Sequence, residues 1–182
     1  MVSCLGGKAG SGISPVFAEI SRELANITLV IFTLPFEFEE EKKMEIAKSS
    51  LKKIKPNLNA SVILSNQKLL QAVKENTFLK EALSIVNKQL GESLEGLIEM
   101  LYPSDLFHID FTDLKTILAG RGKFAFLNTI ETKFQGSVQI IARKVLHNRL
   151  SPYLVFKAKR ILFNIMGAEN LSLNEVNQIG SI

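Results

Sequence analysis

Short apolar runs alternate with amphipathic stretches along the first hundred residues, and few folds accept that alternation. Val2 to Leu5 reads as a short buried strand, Ile27 to Phe32 as a β-rich apolar run, and Ser61 to Leu64 as another short strand. A run without a polar side, such as Ile27 to Phe32, suits a parallel sheet covered on both faces. Helical spacing fills the gaps. Ser14-Pro15 opens the first helix, since serine caps well and proline suits the first helical position. Val16, Ile20 and Leu24 form its expected apolar face. Glu39 to Lys55 carries Met44, Ala47, Leu51 and Ile54 at helical spacing, and Pro56 stops it. Lys68 to Val73 reads as a short helix. Phe78 to Leu101 reads as a long one, with Leu79, Leu83, Val86, Leu90, Leu94, Leu97 and Leu101 on one side. At ~1.5 Å per residue it spans roughly 35 Å, enough to cross a domain. Gly91 and Gly96 weaken it slightly or admit another element.

The order β-α-β-α-β followed by a long helix implies a doubly wound α/β sheet. After Pro103 the character changes. Asp110 to Leu118 reads as a helix, Phe124 to Ile130 as a strand, Val138 to Leu146 as a helix and Ile161 to Ile165 as a strand. Ser172 with Glu175 three residues later has the spacing of a capping box. This predicts the start of a second α+β domain, joined to the first by the long helix.

Composition excludes several functions. With 46% hydrophobic and 22% charged residues, the 182-residue chain has an ordinary globular make-up. Its net charge of +4 comes from interleaved signs, without the dense basic stripe of a nucleic-acid surface. Cys4 is the single cysteine, so no intrachain disulfide forms, and with only His108 and His147 beside it a Cys/His zinc site is excluded. Gly6 and Gly7 end the opening apolar run too early for a signal peptide, and Ile27 to Phe32 is far short of the ~20 residues of a membrane span. The expectation is a soluble protein of a reducing compartment.

Gly6-Gly7-Lys8-Ala9-Gly10-Ser11-Gly12 lies between the first strand and the first helix. Glycines let backbone amides approach an anion, and the helix N-terminus adds partial positive charge. The motif matches neither a Walker A loop nor GxGxxG, and a plain strand–helix turn accounts for it equally well. Its neighbours add more. Residues 6–16 (GGKAGSGISPV) resemble the tubulin/FtsZ signature loop, GGGTGTGAAPV in its usual FtsZ form, and Ala18-Glu19-Ile20 matches the AEI that follows. Residues 33–44 (TLPFEFEEEKKM), 65–70 (SNQKLL), 106–116 (LFHIDFTDLKT) and 162–176 (LFNIMGAENLSLNEV) resemble further family blocks in the family's order.

The resemblance implies part of a tubulin/FtsZ-type doubly wound sheet, a long central helix and the start of a second α+β domain. It divides the chain into 1–77, the second half of a GTPase domain, 78–103, the central helix, and 104–182, a catalytic loop with part of the C-terminal domain. The family's opening strand–helix units and closing strands have no match, so the chain resembles the middle of such a protein. In the family, GTP or GDP, with any Mg2+ held by the nucleotide, sits on one subunit. The next subunit's loop after the long helix brings carboxylates to the γ-phosphate, so hydrolysis needs a filament contact.

That loop matches at Asp110 and Asp113, with His108 where asparagine is usual. Three apart at a helix start, the two acids point the same way. The resemblance implies water activation; capping of the helix fits the same spacing. The glycine loop, Glu39 and Lys43 match nucleotide-contacting positions. Lys8, Ala9 and Ser11 depart from the family's residues, and Lys43 replaces an arginine whose bidentate fork it cannot reproduce. On the long helix Leu83 stands for a phenylalanine that stacks on guanine. Lys88 stands for the base-reading aspartate, or Asn87 if the register shifts by one. Lysine has donors only, so guanine's N1 and N2 hydrogens would meet no acceptor there.

The implied function is a filament-forming, FtsZ-like GTPase of cell or organelle division, self-associating head to tail. It would work in a cytoplasmic division ring or an organelle stroma, without nucleic acid or direct membrane insertion. The alternative is a non-catalytic, divergent relative that co-assembles with or regulates an active filament. An unrelated α/β enzyme with a phosphate-binding loop ranks last. The chain alone is expected not to turn over GTP.

Overall fold

The structure, a computed structural model, describes residues 1–24, 27–74, 76–101, 110–131, 138–147, 158–165 and 173–181. Four strands, β1 (Val2–Cys4), β2 (Leu29–Leu34), β3 (Ala60–Ser65) and β4 (Lys123–Phe124), form one sheet in the order β1-β2-β3-β4. All pairs are parallel. The helices are α1 (Lys8–Leu24), α2 (Glu41–Ile54), α3 (Asn66–Ala72), α4 (Leu79–Leu101), α5 (Phe111–Ile117), α6 (Val138–Val145) and α7 (Leu173–Gly180).

Successive side chains of a strand point to opposite faces, so the apolar runs of β2 and β3 feed two cores. On one face Val30 and Phe32 join Leu5, Ala18, Ala47, Ile54 and Leu58 under α1 and α2. On the other Ile31, Val62 and Leu64 join Phe36, Leu69, Ala82 and Val86 under α3 and α4. The doubly wound α/β arrangement follows from the absence of a polar side on these strands.

Several expectations change. β1 is an edge strand, with Val2 and Cys4 exposed, Ser3 half-buried, and Leu5 buried just after it. Helix α1 starts at Lys8, not Ser14, so most of the glycine run is its first turn and Pro15 lies inside it. Its predicted apolar face is the exposed one: Val16 is 55%, Ile20 52% and Leu24 81% exposed. The buried face is Ser11, Ser14, Ala18 and Ser21. Small residues let the helix lie close to the sheet, and that proximity outweighs hydropathy. Gly10 shows how close: a Cβ there would meet the Cys4 carbonyl oxygen at 1.8 Å.

Helices α2 and α4 fall where periodicity put them. Gly96 in α4 does admit another segment, since a Cβ there would lie 2.4 Å from Thr129 Oγ1. The strand expected over Phe124 to Ile130 shrinks to Lys123–Phe124, and it adds to the first sheet through Ala60↔Lys123 and Ser61↔Phe124. Lys55 Nζ sits 3.6 Å from the Phe124 ring centroid and braces it. Residues 161–165, expected as a strand, are irregular and largely exposed, with no partner strand among the described residues. Helix α6 keeps its predicted place. The cap at Ser172 lies outside the described residues.

Gly10→Ala is therefore expected to lower stability by at least about 1–3 kcal/mol, the usual cost of overpacking. Gly12→Ala has nothing within 4 Å of its new Cβ and is expected to raise stability by about 0.5–1 kcal/mol, the helical preference of alanine over glycine. Urea unfolding midpoints of the two variants check both signs.

Candidate functional site: the carboxyl edge of the sheet and the start of α5

Parallel strands bring their carboxyl ends to one edge. The turn after β1, the loop after β2 and the start of α3 after β3 meet there. Gly6 makes the turn with φ of +104°, where an L side chain is strained, and the Lys43 carbonyl would stand 3.1 Å from a Cβ at that position. Its N–H donates to Ser11 Oγ at 2.9 Å, and Ser11 N–H donates to the Gly7 carbonyl at 3.1 Å. Gly7, Lys8, Ala9 and Gly12 are exposed, Gly10 is half-buried, and Gly6 and Ser11 are buried. The first amides of a helix have no partner within it. With the helix dipole they make the Gly7–Gly10 stretch attractive to an anion.

Across the edge, the Phe36 and Phe38 rings stack 4.7 Å apart. Glu39 accepts from the Phe36 N–H and from Lys43 Nζ, each at 3.0 Å. Glu37 N–H donates to Gln67 Oε1 at 3.1 Å and ties this loop to α3. Lys43's hydrogen bond, then the Phe36 amide, hold the Glu39 carboxyl below its ordinary pKa, and Glu39 in turn raises that of Lys43. The lysine matched to a nucleotide contact is thus engaged at home.

On α4, Leu83 and Asn87 are exposed and share a face, being four residues apart. Lys88 is exposed too, and its ammonium lies 3.7 Å from Glu92 one turn on. None of these side chains presents a carboxylate to a base.

Asp110 caps α5: its side chain accepts from Thr112 N–H at 3.3 Å. Asp113 is in the first turn, its N–H donating to the Asp110 carbonyl at 2.9 Å. Both residues are exposed. At the far end Arg160 Nη1 donates to the Thr116 carbonyl at 2.6 Å, and Lys123 Nζ donates to that of Ala119. Anions stand at the positive end of α5 and cations at its negative end. His108 lies outside the described residues.

The glycine turn, Glu39 and Lys43 come together; Asp110 and Asp113 form a second group. Helix α5 hands over to residues that bond the approach to β3: Gly122 N–H donates to the Leu58 carbonyl at 2.8 Å and Asn59 Nδ2 to that of Gly120 at 3.0 Å. That is the amino end of the sheet. Ser50 went unnoticed in the sequence, although its hydroxyl is buried against the Ser11 carbonyl at 3.3 Å. A proline inside a helix is the signal that would have found it, since proline leaves the carbonyl four residues back without its N–H.

A doubly wound parallel sheet with an anion-ready turn at its carboxyl edge defines a class of α/β proteins suited to phosphate-bearing ligands. Comparison narrows the class. Residues 1–74 match the model of the Tubulin/FtsZ family, GTPase domain. The chain is 30% identical over 179 residues to cell division protein FtsZ 1 of Methanocaldococcus jannaschii, covering 98% of this chain and 49% of the relative. It is also 30% identical over 179 residues to cell division protein FtsZ of Haemophilus influenzae, covering 97% and 42%. An empty FtsZ dimer from M. jannaschii superposes with a TM-score of 0.75 at 25% identity, over 99% of this chain and 52% of that one. The chain is thus similar to the tubulin/FtsZ family, to the GTPase-domain model over residues 1–74 and to FtsZ relatives over nearly its whole length, and it spans about half the length of the curated relatives it matches.

The Glu39–Lys43 pair has a defined pH signature. The folded pKa of Glu39 is depressed, so its contribution is complete above the ordinary glutamate value and is lost as pH falls through the folded one. That of Lys43 is raised, so its contribution is present below the ordinary lysine value and is lost as pH rises through the raised one. Glu39→Gln is expected to reduce the urea midpoint at neutral pH, with the gap to wild type closing on acidification below the ordinary glutamate value. A gap unchanged in strong acid would assign the effect to packing.

Proposed function

We propose that this chain supplies part of the GTP site and the hydrolytic loop of an FtsZ-like, filament-forming cell-division GTPase. In this reading residues 1–77 carry the phosphate-facing half, α4 is the central rod within 78–103, and 104–182 carry the loop acids. The glycine turn from Gly6 to Gly12 holds phosphates by backbone amides, with Lys8 adding charge. Glu39 and Lys43 line the neighbouring loop. Asp110 and Asp113, with His108 two positions earlier in the sequence, are offered to a nucleotide on the adjoining subunit, where the carboxylates orient and polarise the attacking water. Mg2+ comes with the nucleotide.

One observation carries this reading. The exposed Gly7–Ala9 stretch follows the carboxyl end of β1, whereas α5 leads into β4 at the amino end of β3, and α4 alone is about 35 Å long. Groups so separated do not serve one nucleotide within one molecule; head-to-tail stacking would join them. The exposure of both acids supports the same arrangement.

A second reading has its own support. At the positions matched to the base contacts, Leu83 and Lys88, or Asn87 in the shifted register, carry no carboxylate, as expected of a non-catalytic relative that co-assembles with or regulates an active filament.

The test uses an FtsZ relative whose own loop acids have been replaced by alanine. Added wild-type chain is expected to restore GTP turnover, and Asp110→Ala/Asp113→Ala chain is expected to restore none, with a loss of at least roughly 100-fold, as for general-base groups. Incorporation of the chain into the filament without turnover selects the second reading. The chain alone is expected to turn over no GTP, and turnover that vanishes in the double alanine variant would overturn the subunit-sharing scheme.

A further inference from the structure

We infer that Ser50, on α2, is a positioning residue that sets the glycine turn, through a carbonyl that Pro15 leaves free. Pro15 occupies the interior of α1, so the residue four positions on from Ser11 has no N–H to give to its carbonyl. That carbonyl is buried, and a buried unpaired carbonyl is costly. Ser50, itself only 7% exposed, donates its hydroxyl there at 3.3 Å. The bond is long, in keeping with the tilt that a proline ring forces on the carbonyl four residues back.

Ser11 works at both ends. Its carbonyl takes Ser50, and its own hydroxyl takes the Gly6 N–H at 2.9 Å in a buried contact. Gly6 is the residue whose positive φ reverses the chain between β1 and α1. Its amide is therefore spent inside, and the amides presented outward are those that follow it. Helix α2 grips the same turn a second time, through the Lys43 backbone carbonyl beside Gly6. Lys43 and Ser50 are seven residues apart, two turns along one face of α2, with the fully buried Ala47 between them. Ser14 adds a further tie, its hydroxyl 2.9 Å from that of Ser3 on β1. The relay from α2 to the turn thus runs Ser50 hydroxyl, Ser11 carbonyl, Ser11 hydroxyl, Gly6 amide. Its role toward phosphate rests on the reading above; its geometry does not.

The relay depends on proline. With alanine at position 15, an amide would take the Ser11 carbonyl and Ser50 would have nothing to do. The experiment is a double-mutant cycle in the full chain: wild type, Ser50→Ala, Ser50→Thr, Pro15→Ala and Pro15→Ala/Ser50→Ala. Exchange of the Gly6 amide is read by NMR and referred to the amides of β2 in the same sample, with urea stability measured alongside. Ser50→Ala is expected to accelerate Gly6 exchange roughly 5- to 10-fold, the scale of one hydrogen bond. Threonine at position 50 is expected to restore protection, and Ser50→Ala is expected to add nothing in the Pro15→Ala background. Equal acceleration in both backgrounds, or none in either, overturns the relay. If Ser50→Ala fails to fold, Pro15→Ala/Ser50→Ala must fold, and its failure likewise overturns the idea. GDP titrated against the same five proteins is expected to repeat the pattern in affinity. Absence of GDP binding throughout would count against the nucleotide reading alone, because the exchange cycle decides the relay by itself.

Discussion

The six-residue parallel pairing of β2 with β3 holds this molecule together. It runs without interruption from Leu29↔Ala60 to Leu34↔Ser65. Each strand sends alternate side chains to opposite cores, so the pairing also fixes which helices lie on which face. A slip of one residue would move Phe32 from beneath α1 and α2 to the opposite layer and expose what it now covers. Parallel direction adds the second constraint. The turn at Gly6, the loop through Phe36 and Glu39, and the start of α3 share one edge because their strands run the same way.

Much of this architecture was legible in the sequence. Strands without a polar side announce a sheet covered twice, and the long periodicity of α4 admits little but a helix. What escaped the reading was the orientation of α1. Hydropathy favoured Val16, Ile20 and Leu24 as the inner face, yet the inner face is serine and alanine. Closeness of approach, set by Gly10 against the Cys4 carbonyl, decides the matter, and no one-dimensional pattern of hydropathy encodes it. The same small residues explain why the helix begins six residues early. Ser11 secures the turn, so the helix needs no cap at Ser14. The segment at 161–165 erred the other way: apolar and β-prone, it finds no neighbouring strand among the described residues, and strand preference without a partner makes no strand.

The candidate site was legible where local chemistry alone determines geometry. Spacing suffices to place Asp110 as a cap with Asp113 in the turn above it, because a helix start is a local object. Glu39 and Lys43 are four apart and meet as such residues do. The role of Ser50 was only half legible: Pro15 inside α1 marks the Ser11 carbonyl as lacking its N–H, but which side chain takes that carbonyl depends on α1 and α2 lying side by side. Leu83 and Lys88, or Asn87 if the register shifts by one, are visible as departures from the family's pattern, and all three are exposed.

Seven residues are too few for a helix to stand by itself in water, so α5 borrows its order. One loan is local, from the carboxylate of Asp110. The other comes from Arg160, forty-four positions beyond the Thr116 carbonyl it grasps. The posture of the two acids is consequently answerable to a distant guanidinium: disturbance of the stretch around residue 160 would be felt as fraying at the far tip of α5, with no change in either aspartate.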